Sequence, residues 1–187
     1  MAAETESTKA GRTRRDIVQA AIECWSADSS ASLGEVAQTA GVGRTTVNRY
    51  FSDRAQLIAA VDDECRQRFT AAVQRARPGE GTGMAALQRL CAEIVDLGEV
   101  LGLIFADNAL VDPDTWQDDD PDDEPFGMLA ARGQSDGSIA SDLPPEWVGT
   151  VVWTTLFAAW LTIKSSSHTR HEASLLLSRT LARGLSD

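Results

Sequence analysis

Apolar residues recur at helical spacing along the whole chain, and no run alternates with the period of two that a half-buried strand requires. Ile17, Ala21 and Trp25 stand at i, i+4 and i+8, with Arg14, Arg15, Gln19 and Glu23 on the other side, which predicts a helix over 12–27. Ser32 lies three residues ahead of Glu35, the capping-box spacing, so a short helix over 33–39 follows. Gly41 can take the left-handed conformation that ends it, and Val42 can plug the turn. A third helix spans 44–50. Ser52 or Asp53 then caps a fourth, which runs through residue 76 with Leu57, Ile58, Val61, Cys65, Phe69 and Val73 inward.

The stretch RARPGEGTG, 75–83, breaks that helix. Beyond it the pattern predicts helices over 84–97, 99–110, 126–134, 145–165 and 170–185. The segment DPDTWQDDDPDDEP is too charged and proline-punctuated to pack and reads as a solvated loop. The expected fold class is all-α.

Charge divides the chain. The formal net charge is -11, but residues 1–77 carry 11 Lys+Arg against 10 Asp+Glu, while residues 78–187 carry 6 against 18. A polyanion partner is therefore implausible for the second part but open to the first, where Lys9, Arg12, Arg14 and Arg15 cluster and Arg44, Arg49 and Arg54 recur. The 13-residue run VVWTTLFAAWLTI is short of the roughly 20 residues of a membrane span and reads as a buried helix. The N-terminus has no apolar h-region, so a cytoplasmic protein is expected.

Candidate chemistry is sparse. Cys24, Cys65 and Cys91 are far apart and lack CxxC or CxxH partners, which suits reduced core thiols. The acidic run at 118–124 lacks EF-hand order, and His168 and His171 have no visible third ligand. With no glycine-rich phosphate loop, GxSxG or metal-ligand spacing, neither an enzyme nor a cofactor is expected, and no catalytic or metal-ligating residue is assigned.

The stretch LGEVAQTAGVGRTTVNRYF is the informative one. Two short helices joined by a glycine turn have helix-turn-helix spacing. Leu33, Val36, Ala37, Val42, Val47 and Phe51 would hold the pair against the first helix, leaving Arg44, Thr45, Thr46, Asn48, Arg49 and Tyr50 outside. Arginine can bond guanine, asparagine adenine, and threonine a thymine methyl or a phosphate, so this set suits a major groove. The competing reading is an ordinary polar surface on a helical corner.

From residue 12 to 61, the pieces RRDIVQAAIECW, SLGEVAQTAGV and GRTTVNRYFSDRAQLIAAV follow one another in order. In this the chain resembles the DNA-binding domain of the TetR family of transcriptional repressors. The resemblance implies an N-terminal three-helix helix-turn-helix DNA-binding domain (1–53), a connecting fourth helix (54–77), and a C-terminal helical effector-binding and dimerisation domain (78–187). It implies a homodimeric repressor of a palindromic operator, with double-stranded DNA, a small apolar effector and a second copy of the chain as partners. Carried over residue by residue, Arg44, Thr45, Thr46, Asn48 and Arg49 face bases or nearby phosphates, while Ser32, Tyr50 and Arg54 hold the DNA backbone. Arg54 stands where the family usually has a lysine. The family's usual tyrosine is replaced by Asn48, which alters the expected operator, and DSSAS replaces the glycine usual after the first helix.

In the C-terminal part, Trp147, Val151, Val152, Leu156, Ala159, Trp160 and Ile163 form one apolar stripe, and Leu175, Leu176, Leu181 and Leu185 form another. These serve either the core of one chain or half of an intersubunit four-helix bundle. The resemblance favours the bundle, placing Val152, Leu156, Ala159, Trp160, Ile163, Leu177 and Leu181 at the dimer interface. The middle helices would then surround an effector pocket lined by Leu87, Cys91, Ile94, Leu101, Phe105, Trp116, Phe126, Met128 and Trp153, with Asn108 as a polar anchor.

Overall fold

The computed structural model describes residues 2–106, 109–112, 116 and 125–186, of which 2–9 and 106 are described by backbone alone. Among these the chain forms nine helices and no strand: α1 (Ala2–Ala27), α2 (Leu33–Thr39), α3 (Arg44–Tyr50), α4 (Arg54–Arg75), α5 (Gly83–Val95), α6 (Glu99–Ala106), α7 (Pro125–Ser135), α8 (Pro145–Lys164) and α9 (Arg170–Leu185). Asn108 and the acidic run at 118–124 lie outside the described residues.

One compact unit comprises Met1–Gln67 with Gly102–Pro113. Its centre is apolar: Ile17, Ala21, Trp25, Val36, Val47, Leu57 and Val61 are fully buried, and Phe51 nearly so. The α1 helix begins ten residues before the expected start at Arg12. The added stretch AAETESTKAG holds three alanines and two glutamates, which lose little entropy in a helix. Ser32 caps α2, with its side chain accepting from Glu35 N–H while the Glu35 carboxylate accepts from Ser32 N–H. At the other end of α2, Gly41 has φ +65°, its N–H donates to Gln38 O, and Val42 N–H donates to Ala37 O. These are the two bonds of a Schellman motif, and the left-handed residue between them costs glycine nothing.

The second unit comprises Arg68–Leu101 with Asp114–Asp187, so α4 contributes residues to both. Here α8 packs on α9, and α5 on α7, α9 and α8. The α5 and α7 backbones touch: a Cβ built on Gly83 would lie 2.2 Å from Gly133 N and 2.3 Å from Gly133 Cα. The start of α5 is closed from a distance, because Gly83 N–H donates to the Asp136 carboxylate at 2.7 Å and Met84 N–H to the Ser138 hydroxyl at 3.0 Å. Two arginines organise the corner that replaces RARPGEGTG. Arg89 donates to the carbonyls of Ala76, Arg77 and Glu80, and Arg132 to those of Pro78 and Gly81.

Candidate nucleic-acid interface

The outward face of α3 is set by the burial of its apolar residues. Within α3 only Val47 is buried, and the C-cap Phe51 is 2% exposed. Arg44, Thr45, Asn48 and Arg49 are consequently exposed, with Thr46 and Tyr50 half-buried. Arg44 folds back toward the start of α2: a Cβ built on Gly34 would meet Ser32 Oγ at 3.5 Å and Arg44 Nε at 3.6 Å. The Ser32 hydroxyl and the Arg44 guanidinium therefore both lie beside Gly34. Arg49 stacks over the Tyr50 ring at 5.2 Å, which stiffens both side chains at the exit of α3. Among the described residues, Arg44, Asn48 and Arg49 have no hydrogen bond or ion pair to another side chain. Guanidinium and amide donors left open on a helix are what base edges and phosphates accept.

Arg54, expected to hold the DNA backbone, also makes contacts within the fold. Its guanidinium donates to Ala31 O at 2.5 Å and Ser29 O at 2.7 Å and lies 4.6 Å over the Trp25 ring, while the Trp25 indole N–H also donates to Ala31 O at 3.0 Å. A planar fork can hold two carbonyls at once, which engages two of its five N–H donors. Arg54 is therefore a clamp on the α1–α2 loop. The capping carboxylate at α4 is Asp53, which accepts from Gln56 N–H at 2.9 Å. That bond, and one from the Ser52 hydroxyl, hold the Asp53 carboxyl below its ordinary value. Glu35 is held low in the same way by Ser32.

Residues 17–61 match the family model of bacterial regulatory proteins of the tetR family. Over 96% of its length the chain is 31% identical to the HTH-type transcriptional repressor LfrR of Mycolicibacterium smegmatis, covering 94% of that protein. The chain belongs to the TetR family of transcriptional regulators. The crystal structure of LfrR from Mycobacterium smegmatis superposes with a TM-score of 0.70 at 30% identity, covering 95% of this chain and 98% of that one. LfrR in complex with proflavine does so with a TM-score of 0.72 at 31% identity, over the same shares. A putative TetR-family regulator from Rhodococcus sp., at 15% identity and TM-score 0.70, shares the fold over 91% of this chain and 97% of its own. TetR-type regulators are not enzymes.

In this TetR-family chain the expected effector residues do not share one environment. Leu87, Cys91, Ile94 and Phe126 are fully buried and Leu101 is 1% exposed, whereas Trp116 and Trp153 are half-buried. Burial pushes the Cys91 thiol far up, so it stays protonated. Met128 is 45% exposed and points out of its unit, a departure from the expected lining. Phe105, half-buried, falls in the other unit. Two aromatic pairs form instead: Phe126 with Trp153, edge-on at 5.2 Å, and Phe69 with Trp116, tilted at 5.7 Å. Sequence reasoning assigned Phe69 only to the inner face of α4. Its meeting with Trp116, 47 positions later, leaves no local signal.

The expected dimer set also divides. Val152, Leu156 and Leu181 are fully buried within one chain, and Ala159 and Leu177 nearly so, because they form the α8–α9 seam. Trp160 and Ile163 are half-buried. The apolar residues left in water sit on the neighbouring faces: Trp147 (55% exposed), Phe157 and Leu161 on α8, and Leu175 (58%) and Leu176 on α9. Only 22% of an 18-residue window of α8 is buried, despite a mean hydropathy of 1.2, so this helix is not the buried one expected from its sequence. A groove of about 280 Å³ runs beside it, lined by Thr155, Ala158, Ala159, Thr162, Leu176 and Thr180.

Proposed function

We propose that the chain is a homodimeric, cytoplasmic repressor that reads a palindromic operator through α3 and is released by a planar aromatic cation. The observation that carries the reading is the exposed set Arg44, Thr45, Asn48 and Arg49, raised around a single buried Val47. Arg44 and Arg49 suit guanine, Asn48 suits adenine, and Ser32, Thr46 and Tyr50 suit the adjoining phosphates. One such unit neutralises few phosphates, so a second copy is needed to hold DNA against physiological salt. Pairing through the exposed α8 and α9 faces would cover Trp147, Phe157, Leu161, Leu175 and Leu176 and repeat α3 about 34–36 Å away, one turn of DNA.

Three features support the effector class. The aromatic pairs Phe69–Trp116 and Phe126–Trp153 offer stacking faces. Arg89 and Arg132 are held in place by the corner carbonyls, which leaves them less free to follow an anionic ligand. The relative LfrR has been crystallised with proflavine, a planar aromatic cation. Because α4 carries Phe69 as well as Leu57 and Val61, a ligand that displaces Phe69 has a direct mechanical route to the DNA-binding unit.

The test is to select bound duplexes from a random pool, measure the mass of the free protein by sedimentation, and titrate proflavine into the complex. The reading expects a dimer, an inverted-repeat consensus, and loss of the complex with rising proflavine. A monomer that selects no consensus would overturn it.

A further inference from the structure

In the resemblance, the phosphate contact at the start of α4 belongs to a cation, and here that cation, Arg54, gives two of its donors to Ser29 O and Ala31 O. We propose that Arg14, from α1, supplies a further phosphate contact at the exit of α3. The inference rests on the DNA-binding role assigned to α3 above.

The geometry points this way for three reasons. Arg14 Cζ lies 5.1 Å from the centroid of the Phe51 ring, and Phe51 is the residue that ends α3. Arg49 Cζ lies 5.2 Å from the ring of Tyr50, the residue just before. Two guanidiniums from different helices are thus held on consecutive aromatic residues at one end of α3. Arg14 is also exposed and, among the described residues, has no hydrogen bond or carboxylate partner, although the chain as a whole carries 28 acidic residues against 17 basic ones. An arginine with no acid partner among the described residues, held on the ring face at the end of the candidate reading helix, keeps donors for an outside anion. Finally, stacking on Phe51 fixes the side chain in advance, which lowers the entropy lost on binding. The partner is the DNA sugar-phosphate backbone, so Arg14 adds affinity without adding base preference.

The test uses the full-length protein and two duplexes, one selected from a random pool and one of scrambled sequence, titrated over roughly 50–300 mM NaCl. Arg14→Gln is expected to weaken both duplexes by a similar factor and to flatten the plot of log affinity against log salt by about 1.8 per dimer, from two contacts at about 0.9 each. Arg14→Lys keeps the charge and should keep the slope. Arg14→Met, which keeps the apolar stem over Phe51 without the charge, should behave as Arg14→Gln does, so a loss due only to unfolding is distinguished. If Arg14→Gln and Arg14→Met leave slope and affinity at the wild-type values while Arg44→Ala abolishes preference for the selected duplex, the Arg14 proposal falls and the reading of α3 stands. If Arg44→Ala also changes nothing, the reading itself falls.

Discussion

Arg54 separates a fold clamp from a DNA contact, and its replacement gives a quantitative answer. Arg54→Ala removes two hydrogen bonds from a charged donor to Ser29 O and Ala31 O and a cation over the Trp25 indole. Charge-assisted bonds contribute about 1.5–3 kcal/mol each, and a cation on an indole about 0.5–2 kcal/mol. The side chain is only half-buried, and Ala31 O keeps the Trp25 N–H, so the low end applies. The expected loss is about 3 kcal/mol, which lowers the melting midpoint of a chain this size by about 6–12 °C. Arg54→Lys keeps one charge but cannot fork, and should cost about 1–2 kcal/mol. Thermal and urea unfolding measure the stability, and fluorescence anisotropy on labelled duplex, well below the midpoint, measures binding. Both variants should bind DNA with wild-type salt slope while folded. Unchanged stability together with a flatter slope would show that Arg54 touches phosphate and that the clamp is of no consequence.

Other consequences follow from the same contacts. Gly83→Ala would place a methyl 2.2–2.3 Å from the Gly133 backbone, so α5 and α7 must part; calorimetry should show a loss of at least about 3 kcal/mol, whereas Gly149→Ala, with nothing within 4 Å, should be neutral or slightly stabilising. Leu161→Glu with Leu176→Glu, both on exposed faces, should yield a folded monomer by sedimentation, while Leu156→Ala in the α8–α9 seam should instead destabilise the chain by about 2–5 kcal/mol. Proflavine should quench tryptophan emission, and Trp153→Leu should weaken its binding. Stability should also fall in acid. The carboxyls of Asp28, Glu35, Asp53 and Glu172 are all held below their ordinary values, by hydrogen bonds to Ser30, Ser32, Gln56 and Thr169 respectively. Their contribution is complete above the ordinary values of 3.8 for Asp and 4.5 for Glu, and is lost as pH falls through the lower folded values. Glu35→Gln should therefore flatten the pH dependence of the melting midpoint below pH 4.5.

Local chemistry wrote the helix boundaries into the sequence. The α2 and α3 spans and that of α9 match the expected ones because each is fixed by a cap or turn legible over a few residues: Ser32 with Glu35, Gly41 with Val42, and Thr169 with Glu172. The exposed face of α3 was legible for the same reason, since one buried valine in seven residues decides what points outward. What escaped depended on long-range contact. The carbonyl contacts of Arg54 were not legible because only the fold brings it to Ala31 O, and the exposed residues of α8 and α9 could not be told from the buried ones while both faces are apolar. The Gly83–Gly133 crossing and the capping of α5 by Asp136 and Ser138 join residues some 50 positions apart, beyond the reach of any spacing rule.

The most direct measurement is selection of duplexes from a random pool by the wild-type protein and by an Arg44→Ala/Asn48→Ala variant, with sequencing of what each retains. The account expects the wild type to enrich two inverted half-sites one helical turn apart, and the variant to retain DNA without that consensus. Enrichment of the same sequences by both proteins would contradict the assignment of α3 as the reading helix.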